Sequence, residues 1–241
     1  MNLLNRWRVG HDRQAKPRGE VRGTVVIPAT GDSSGPSHAP RSVRVSNGLK
    51  DCLWHLSGIG QGKLLDLGPV WQSTVSFFVE RGFKVYTEDL LRAWKEFLRF
   101  EEERLRTLQP GAEASDSTPA ARAERFLQGS LQYPCETFDA VLAWDLLDYL
   151  ESELVARLVV RLTELLKVSG VVLALFHSRK PDSYHRYRVL DAQNFELIPA
   201  PALFPVQRIY QNRELLNLFS GFHSSKTFVG RDQLREGLFI K

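Results

Sequence analysis

The sequence has little cysteine and no long apolar segment. Its two cysteines, Cys52 and Cys135, are too few for a disulfide framework or for a zinc site built from cysteines. No apolar run reaches the roughly 18–20 residues that a membrane helix needs, and the N-terminus holds no apolar stretch suited to a secretory signal. The histidines lack the spacing of metal ligands, so no metal site is expected. These absences predict a cytoplasmic protein without membrane contact.

Positive charge is concentrated at the N-terminus. The chain has a net charge of +4, but residues 1–48 hold eight Arg and Lys against three acids, so the remainder is close to neutral. Residues 1–45 are also rich in Gly, Pro, Ser and Arg, and we predict a disordered basic tail there, followed by one folded domain over residues 46–241. Contact with nucleic acid is expected only through this tail, whose alternative role is that of a solvated leader. The oligomeric state stays open.

The order of predicted elements indicates an α/β protein. A strand over 63–67 ends at Gly68-Pro69, a helix covers 74–81, and a second strand covers 83–87. One strand, one short helix and another strand make a parallel pair with a right-handed crossover. Further predicted helices cover 49–56, 90–108, 120–127, 151–167 and 213–219, and further predicted strands cover 138–144, 171–176, 224–229 and 237–240. We therefore predict a Rossmann-like, doubly wound and mostly parallel sheet, with helices on both faces and an antiparallel C-terminal edge strand.

Three ordered blocks give the chain a resemblance to a known family over about residues 49–241. The first runs from Leu64-Leu-Asp-Leu-Gly68 through Arg81-Gly-Phe to Asp89, the second from Leu131 to Val141, and the third from Leu165 to Leu175. In this order and spacing they resemble the class I S-adenosylmethionine-dependent methyltransferases, in their type 11-like form. The resemblance implies S-adenosyl-L-methionine as the cofactor and a small molecule as the methyl acceptor.

The resemblance also implies a set of cofactor-binding residues at the carboxyl ends of the first strands. In the family, glycines let the backbone approach the ligand, and the acid that ends the second strand accepts hydrogen bonds from ribose hydroxyls. The implied residues here are Asp66, Leu67, Gly68, Pro69, Gln72, Glu88, Asp89 and Trp144. Each has a structural alternative: Asp66 would hold its own turn, Asp89 would cap the helix that begins at Leu90, and Trp144 would be a core residue.

Two residues are candidates for proton transfer. His177 follows the most apolar strand, where ligands of such sheets bind, and a histidine titrates near neutral pH. Asp145 follows the strand that ends at Trp144 and would act as a polar pocket residue or general base. The alternatives are a rim histidine bonded to backbone and an acid at a helix N-terminus. The stretch from Tyr184 to Arg188 would bind an acidic group, or would be a strand with alternating cations.

The first block departs from the family at two positions. Val70 and Gln72 stand where the family has its second and third glycines, and a Cβ there crowds a bound nucleoside. The sequence therefore carries two hypotheses, a methyltransferase and a catalytically inactive relative that serves as a binding or scaffold protein. A nucleotide-dependent oxidoreductase is a third, but the chain lacks the Gly-x-Gly-x-x-Gly pattern.

Overall fold

The structure is a computed structural model, and it describes residues 42–107, 118–230 and 232–241. The described residues form nine strands: β1 (Ser42–Val45), β2 (Gly62–Asp66), β3 (Phe83–Thr87), β4 (Phe138–Trp144), β5 (Leu166–His177), β6 (His185–Val189), β7 (Asn194–Pro199), β8 (Ser224–Val229) and β9 (Leu234–Ile240). They also form six α-helices: α1 (Asn47–His55), α2 (Gln72–Val79), α3 (Leu90–Thr107), α4 (Pro119–Gly129), α5 (Ser152–Leu165) and α6 (Asn212–Leu218).

The main sheet has six strands in the order β3-β2-β4-β5-β9-β8. Strands β3, β2, β4 and β5 are parallel, whereas β9 runs antiparallel to both β5 and β8. The predicted Rossmann-like fold with an antiparallel C-terminal edge pair is confirmed. The chain leaves β2 toward one edge of the sheet and later places β4 on the other side of β2. The order of the strands therefore reverses between β2 and β4, which is where ligands of open α/β sheets bind.

Helices cover both faces because right-handed crossovers that travel in opposite directions lie on opposite sides of a sheet. The crossover through α2 leads from β2 to β3, and the crossover through α5 leads from β4 to β5 in the other direction. One core joins the inner sides of α1 and α2 to sheet residues such as Leu64, Leu142 and Leu173. On the other side α4 packs against α5, and Trp94 and Phe97 of α3 contact Phe126 of α4.

The end of α5 differs from the prediction. The periodic pattern predicted a helix to Lys167, but the helix ends at Leu165 and β5 begins at Leu166. Leu166 has an extended backbone and pairs with Phe138, so tertiary pairing overrides the local helical pattern.

A second sheet of three antiparallel strands, in the order β1-β7-β6, was not predicted as a sheet. Its strand β6 agrees with the alternative in which Tyr184–Arg188 is a strand. Strand β1 consists of the last four residues of the predicted tail, so the prediction of disorder is wrong for them. These four residues pair with β7, and the guanidinium of Arg44 also contacts the carboxylates of Asp232 and Glu236. The rest of the predicted tail, residues 1–41, lies outside the described residues.

None of the described helices is both long enough and apolar enough to cross a membrane.

Candidate functional site

The turn after β2 lies between strands β3 and β4, and backbone hydrogen bonds join it to both sides. The amide of Leu67 donates to the carbonyl of Leu142 at 3.0 Å, and the amide of Glu88 donates to the carbonyl of Asp66 at 2.8 Å. The amide of Leu90, the first residue of α3, donates to the carbonyl of Leu67 at 3.1 Å. The carboxyl ends of β2, β3 and β4 are therefore held together at the point where the strand order reverses.

Six of the predicted site residues line one crevice at this edge. They are Leu67, Gly68, Pro69, Asp89, Trp144 and Asp145, and strand β6 with the residue before it closes the crevice from the other side. The other four predicted site residues do not line the crevice; they are Asp66, Gln72, Glu88 and His177. Sequence order alone could not show that residues from 67 to 187 meet here, because the meeting depends on the strand order.

Asp66 is buried beneath the crevice and holds the turn. Its Oδ1 accepts hydrogen bonds from the amide of Gly68 at 3.0 Å and from the indole Nε1 of Trp144 at 2.7 Å. Its Oδ2 is buried and has no partner among the described residues. Burial raises the pKa of Asp66 to about 6, although both hydrogen bonds oppose the rise. The geometry matches the turn-holding alternative, and the free Oδ2 leaves room for one further donor.

Trp144 fills the space between the turn and strand β6. Its ring stacks on Tyr187 with centroids 5.8 Å apart and lies edge-on to Phe195 at 5.3 Å. A Cβ added to Gly68 would lie 2.5 Å from Cδ1 of Trp144, so this indole requires a glycine at position 68. Trp144 also has a left-handed backbone with φ of 44°, an uncommon conformation for a bulky residue. It occupies the crevice as a packed side chain, in agreement with the core alternative.

The acids after β3 face different surroundings. Asp89 lines the crevice, and its Oδ1 also accepts from the amide of Arg92 at 3.2 Å, as an N-terminal cap of α3 does. Burial raises the pKa of Asp89, while the hydrogen bond from Arg92 and the charge of Arg186 oppose the rise. Glu88 is buried elsewhere and accepts a hydrogen bond from the hydroxyl of Tyr133 at 2.7 Å. Asp89, rather than Glu88, is thus the acid available to a ligand in the crevice.

Gln72 lies outside the crevice. It is exposed in the first turn of α2, where its Nε2 donates to Oγ of Ser76 at 3.1 Å.

The crevice is nearly closed. Its volume is about 20 Å³, whereas small-molecule sites usually enclose about 300–1,000 Å³. Of the acids and the amide expected to hold S-adenosyl-L-methionine, only Asp89 lines the crevice, and the indole of Trp144 and the ring of Tyr187 occupy its space. The cofactor fits only if these side chains and strand β6 move away from the turn.

The two predicted proton-transfer residues meet in a buried acidic cluster. Nε2 of His177 lies 3.9 Å from Oδ2 of Asp145, and Nδ1 of His177 lies 2.9 Å from Oδ2 of Asp148. The same oxygen of Asp148 accepts the backbone amide of His177 at 2.7 Å, and the hydroxyl of Tyr187 donates to Asp145 at 3.1 Å. Asp148 fixes the position of the imidazole ring, so the cluster is a histidine oriented by one carboxylate and faced by another.

Asp148 was not among the predicted site residues. It lies in the short 3₁₀ helix Leu146–Tyr149 that follows β4, three residues after Asp145. The spacing Asp-x-x-Asp is the signal that the sequence offered, but the contact with His177 depends on the pairing of β4 with β5.

The pKa values of all three groups in this cluster are raised, by burial for the two acids and by nearby negative charge for His177. Burial raises the pKa of Asp145 to about 7 and also raises that of Asp148. Burial works to lower the pKa of His177, but the hydrogen bond to Asp148 and the charges of the two carboxylates raise it overall. The cluster therefore binds protons more tightly than its isolated groups would.

His177 faces a second, more open cavity of about 240 Å³, whose lining includes Arg179, Lys180 and His185. His185 and Tyr187 line both this cavity and the crevice, so strand β6 separates the two spaces. No group of three His, Cys, Asp or Glu side chains in the described ranges is arranged to hold a metal ion.

Comparisons with known proteins found similarity in structure. No protein-family model matches the sequence, and no curated protein is similar to it. A methyltransferase from Burkholderia thailandensis, solved with 1,6-didemethyltoxoflavin and S-adenosylhomocysteine, is 15% identical with a TM-score of 0.42, over 81% of this chain and 78% of that one. A methyltransferase from Mesorhizobium loti is 14% identical with a TM-score of 0.42, over 79% of this chain and 96% of that one.

A third structure, from Methanosarcina mazei, is 14% identical with a TM-score of 0.40, over 78% of this chain and 94% of that one. The Mesorhizobium and Methanosarcina proteins are described as S-adenosylmethionine-dependent methyltransferases.

Proposed function

We propose that this chain is an S-adenosylmethionine-dependent methyltransferase that acts on a small-molecule acceptor. The observation that carries the proposal is the crevice itself. The turn Leu67–Pro69, the acid Asp89 and the acid Asp145 line it together, at the point of the sheet where ligands bind in this kind of fold. The three sequence blocks support the choice of cofactor, and the location that we propose is the cytoplasm.

The residues that would hold the cofactor follow from the lining of the crevice. Asp89 would accept hydrogen bonds from ribose hydroxyls, because it is the carboxylate at the end of β3 that faces the crevice. Gly68 would allow close approach of the backbone to the ligand. When bound, S-adenosyl-L-methionine supplies a methyl group activated by its sulfonium charge.

The chain itself would contribute positioning and one proton acceptor. His177 has its Nδ1 engaged by Asp148, and its Nε2 lies toward Asp145. It would accept a proton from an acceptor that reaches the cavity of His177 once β6 moves away from the crevice. A base must be neutral before it accepts a proton. Because the pKa of His177 is raised, this neutral form gains population at a higher pH than in an unperturbed histidine. Methyl transfer assisted by His177 would therefore increase with pH, over a range shifted upward from that of an unperturbed histidine.

Binding would require the crevice to open. Trp144 and Tyr187 occupy the space, and Tyr187 belongs to β6 of the three-stranded sheet, which is a separate layer from the main sheet. Movement of β6 would remove Tyr187 and release the indole of Trp144. A ligand that binds only the open form has its affinity reduced by the fraction of molecules in that form.

The test is titration calorimetry with S-adenosylhomocysteine. We expect the wild-type protein to bind it, and Asp89→Asn to bind about tenfold more weakly, since a charge-assisted hydrogen bond is lost. Asparagine caps helices as well as aspartate does, so α3 is retained. Gln72→Ala is the matched control and should bind as the wild type does, because Gln72 lies outside the crevice. Absence of heat at high micromolar ligand, in the wild type and in Trp144→Ala alike, would overturn the proposal.

The second candidate is a catalytically inactive relative that binds a partner or ligand without transferring a group. The observation that favours it is the volume of the crevice, which is only about 20 Å³. Val70 and Gln72, which stand where the family has glycines, point the same way. The same titration separates the two functions. A protein that binds no S-adenosylhomocysteine even after Trp144 is removed would have lost the cofactor site, and the second candidate would then hold.

A further inference from the structure

A groove of about 530 Å³ runs beside α3, next to the crevice. One wall is the exposed side of α3, and the opposite wall comes from β6 and from residues 203–204. Its volume falls within the range of about 300–1,000 Å³ that small-molecule sites enclose. The crevice at the end of β2 is much smaller, so this groove is the larger space in the neighbourhood of Asp89.

Four cations line the groove, Arg92, Lys95 and Arg99 on α3 and Arg186 on β6. The three on the helix lie three and four residues apart, so they share one face. Among the described residues, Arg92 alone of the three has a carboxylate at hydrogen-bond distance, that of Glu96 at 3.3 Å. Lys95 and Arg99 form no ion pair with the described residues. The positive charge of this wall is therefore only partly balanced by protein.

The acids of the groove do not restore the balance. Glu96 is engaged by Arg92, and Glu102 accepts from Arg106 at 2.6 Å. Arg186 lies near Asp89, and the positive charge of Arg186 opposes the rise in the pKa of Asp89. With both acids of the groove occupied, Lys95 and Arg99 remain as donors for an anion.

The floor of the groove is apolar. Leu98, Leu203 and Phe204 line it, and all three are half-buried. Apolar surface beside unbalanced cations suits a ligand with an anionic head and an apolar body, since each part then meets a matching surface. A neutral ligand would leave the cations unused, and a cationic ligand would be repelled.

We infer that this groove binds a small organic anion with an apolar body, of the class of medium-chain carboxylates. The groove meets the crevice at Arg186, which lines both, and Asp89 and Arg92 lie within one turn of α3. The anion would thus lie beside the proposed cofactor site, and its identification as the methyl acceptor rests on the proposed function. A carboxylate oxygen has no proton to lose on methylation, so this acceptor would not use His177 as a base. Binding of the anion itself does not require the cofactor.

The experiment is titration calorimetry with three ligands of equal chain length, in buffer of low ionic strength and without any cofactor. The ligands are decanoate, decanol and decyltrimethylammonium, each kept below the concentration at which it forms micelles. We expect decanoate to bind at least tenfold more tightly than the other two. The double variant Lys95→Gln/Arg99→Gln should lose at least tenfold in affinity for decanoate and keep its affinity for decanol.

The matched control is the double variant Lys50→Gln/Arg213→Gln. It removes two charges from exposed residues outside the groove, and it should bind decanoate almost as the wild type does. Thermal unfolding midpoints close to the wild-type value would show that both double variants are folded. The inference is overturned if decanoate fails to bind, if decanol binds equally well, or if the two double variants lose affinity to the same extent. Failure of the proposed function appears instead in the titration with S-adenosylhomocysteine, and it leaves decanoate binding intact.

Discussion

Trp144 donates an indole hydrogen bond to the buried carboxylate of Asp66 across the ends of β4 and β2, with a distance of 2.7 Å between Nε1 and Oδ1. The bond spans the point where the strand order reverses and closes the crevice there. Any ligand that enters must break it or pass beside it. The contact therefore links the stability of this protein to its capacity to bind.

Trp144→Ala should open the crevice and weaken the fold. Removal of a buried tryptophan costs about 3–5 kcal/mol of unfolding free energy, which urea unfolding would measure. The affinity for S-adenosylhomocysteine should nevertheless rise, because the ligand no longer has to displace the indole. Trp144→Phe is the control: it keeps a ring against Tyr187 and should gain less affinity. Weaker binding by Trp144→Ala than by the wild type would contradict this role of the indole.

Gly68→Ala tests the packing of the turn against the same ring. The new methyl group would lie 2.5 Å from Cδ1 of Trp144, and we expect a loss of about 1–3 kcal/mol in unfolding free energy from overpacking. Gly221→Ala is the matched control, since a Cβ at that position meets none of the described residues within 4 Å apart from its own chain neighbours. In a Trp144→Ala background the cost of Gly68→Ala should disappear. Equal losses in the two backgrounds would show that the methyl group clashes with something other than Trp144.

The main sheet could be predicted from the sequence because each of its strands has a local pattern of apolar residues bounded by turn residues. The strands Phe83–Thr87 and Phe138–Trp144 coincide with the predicted ranges, and the antiparallel pair at the C-terminus was expected. The three-stranded sheet was missed for the opposite reason. Strand β1 holds four residues at the end of a polar segment, and its order depends on pairing with β7, about 150 residues later.

The site could be predicted only in part. Motif spacing placed Gly68 and Asp89 at the crevice, but it could not show that Trp144 fills it. That outcome depends on Tyr187 and Phe195, which belong to strands that carry no motif. Similarly, His177 was found from its place after an apolar strand, whereas its contact with Asp148 follows from the register of two neighbouring strands.

Asp145→Asn should change how stability depends on pH. Burial raises the pKa of Asp145 from an ordinary 3.8 to about 7, so the folded state binds this proton more tightly than the unfolded state. The wild type accordingly loses unfolding free energy as the pH rises from about 4 to 7. Because asparagine does not titrate, the unfolding free energy of Asp145→Asn relative to that of the wild type should increase between pH 5 and pH 8, as measured by urea unfolding. The exposed Asp182→Asn is the control, and a relative stability that stays constant for Asp145→Asn would contradict the prediction.

The titration of His177 should depend on Asp148. Proton NMR of the imidazole should give the wild-type His177 a pKa above the ordinary 6.5, because the contacts with Asp148 and Asp145 outweigh burial. A raised histidine pKa contributes stability that is complete below pH 6.5 and is lost as the pH rises through the folded value. Asp148→Asn removes one negative charge and should lower the pKa. His223, an exposed residue just before β8, is the internal control. An unchanged His177 titration in the variant would show that Asp148 does not set its protonation.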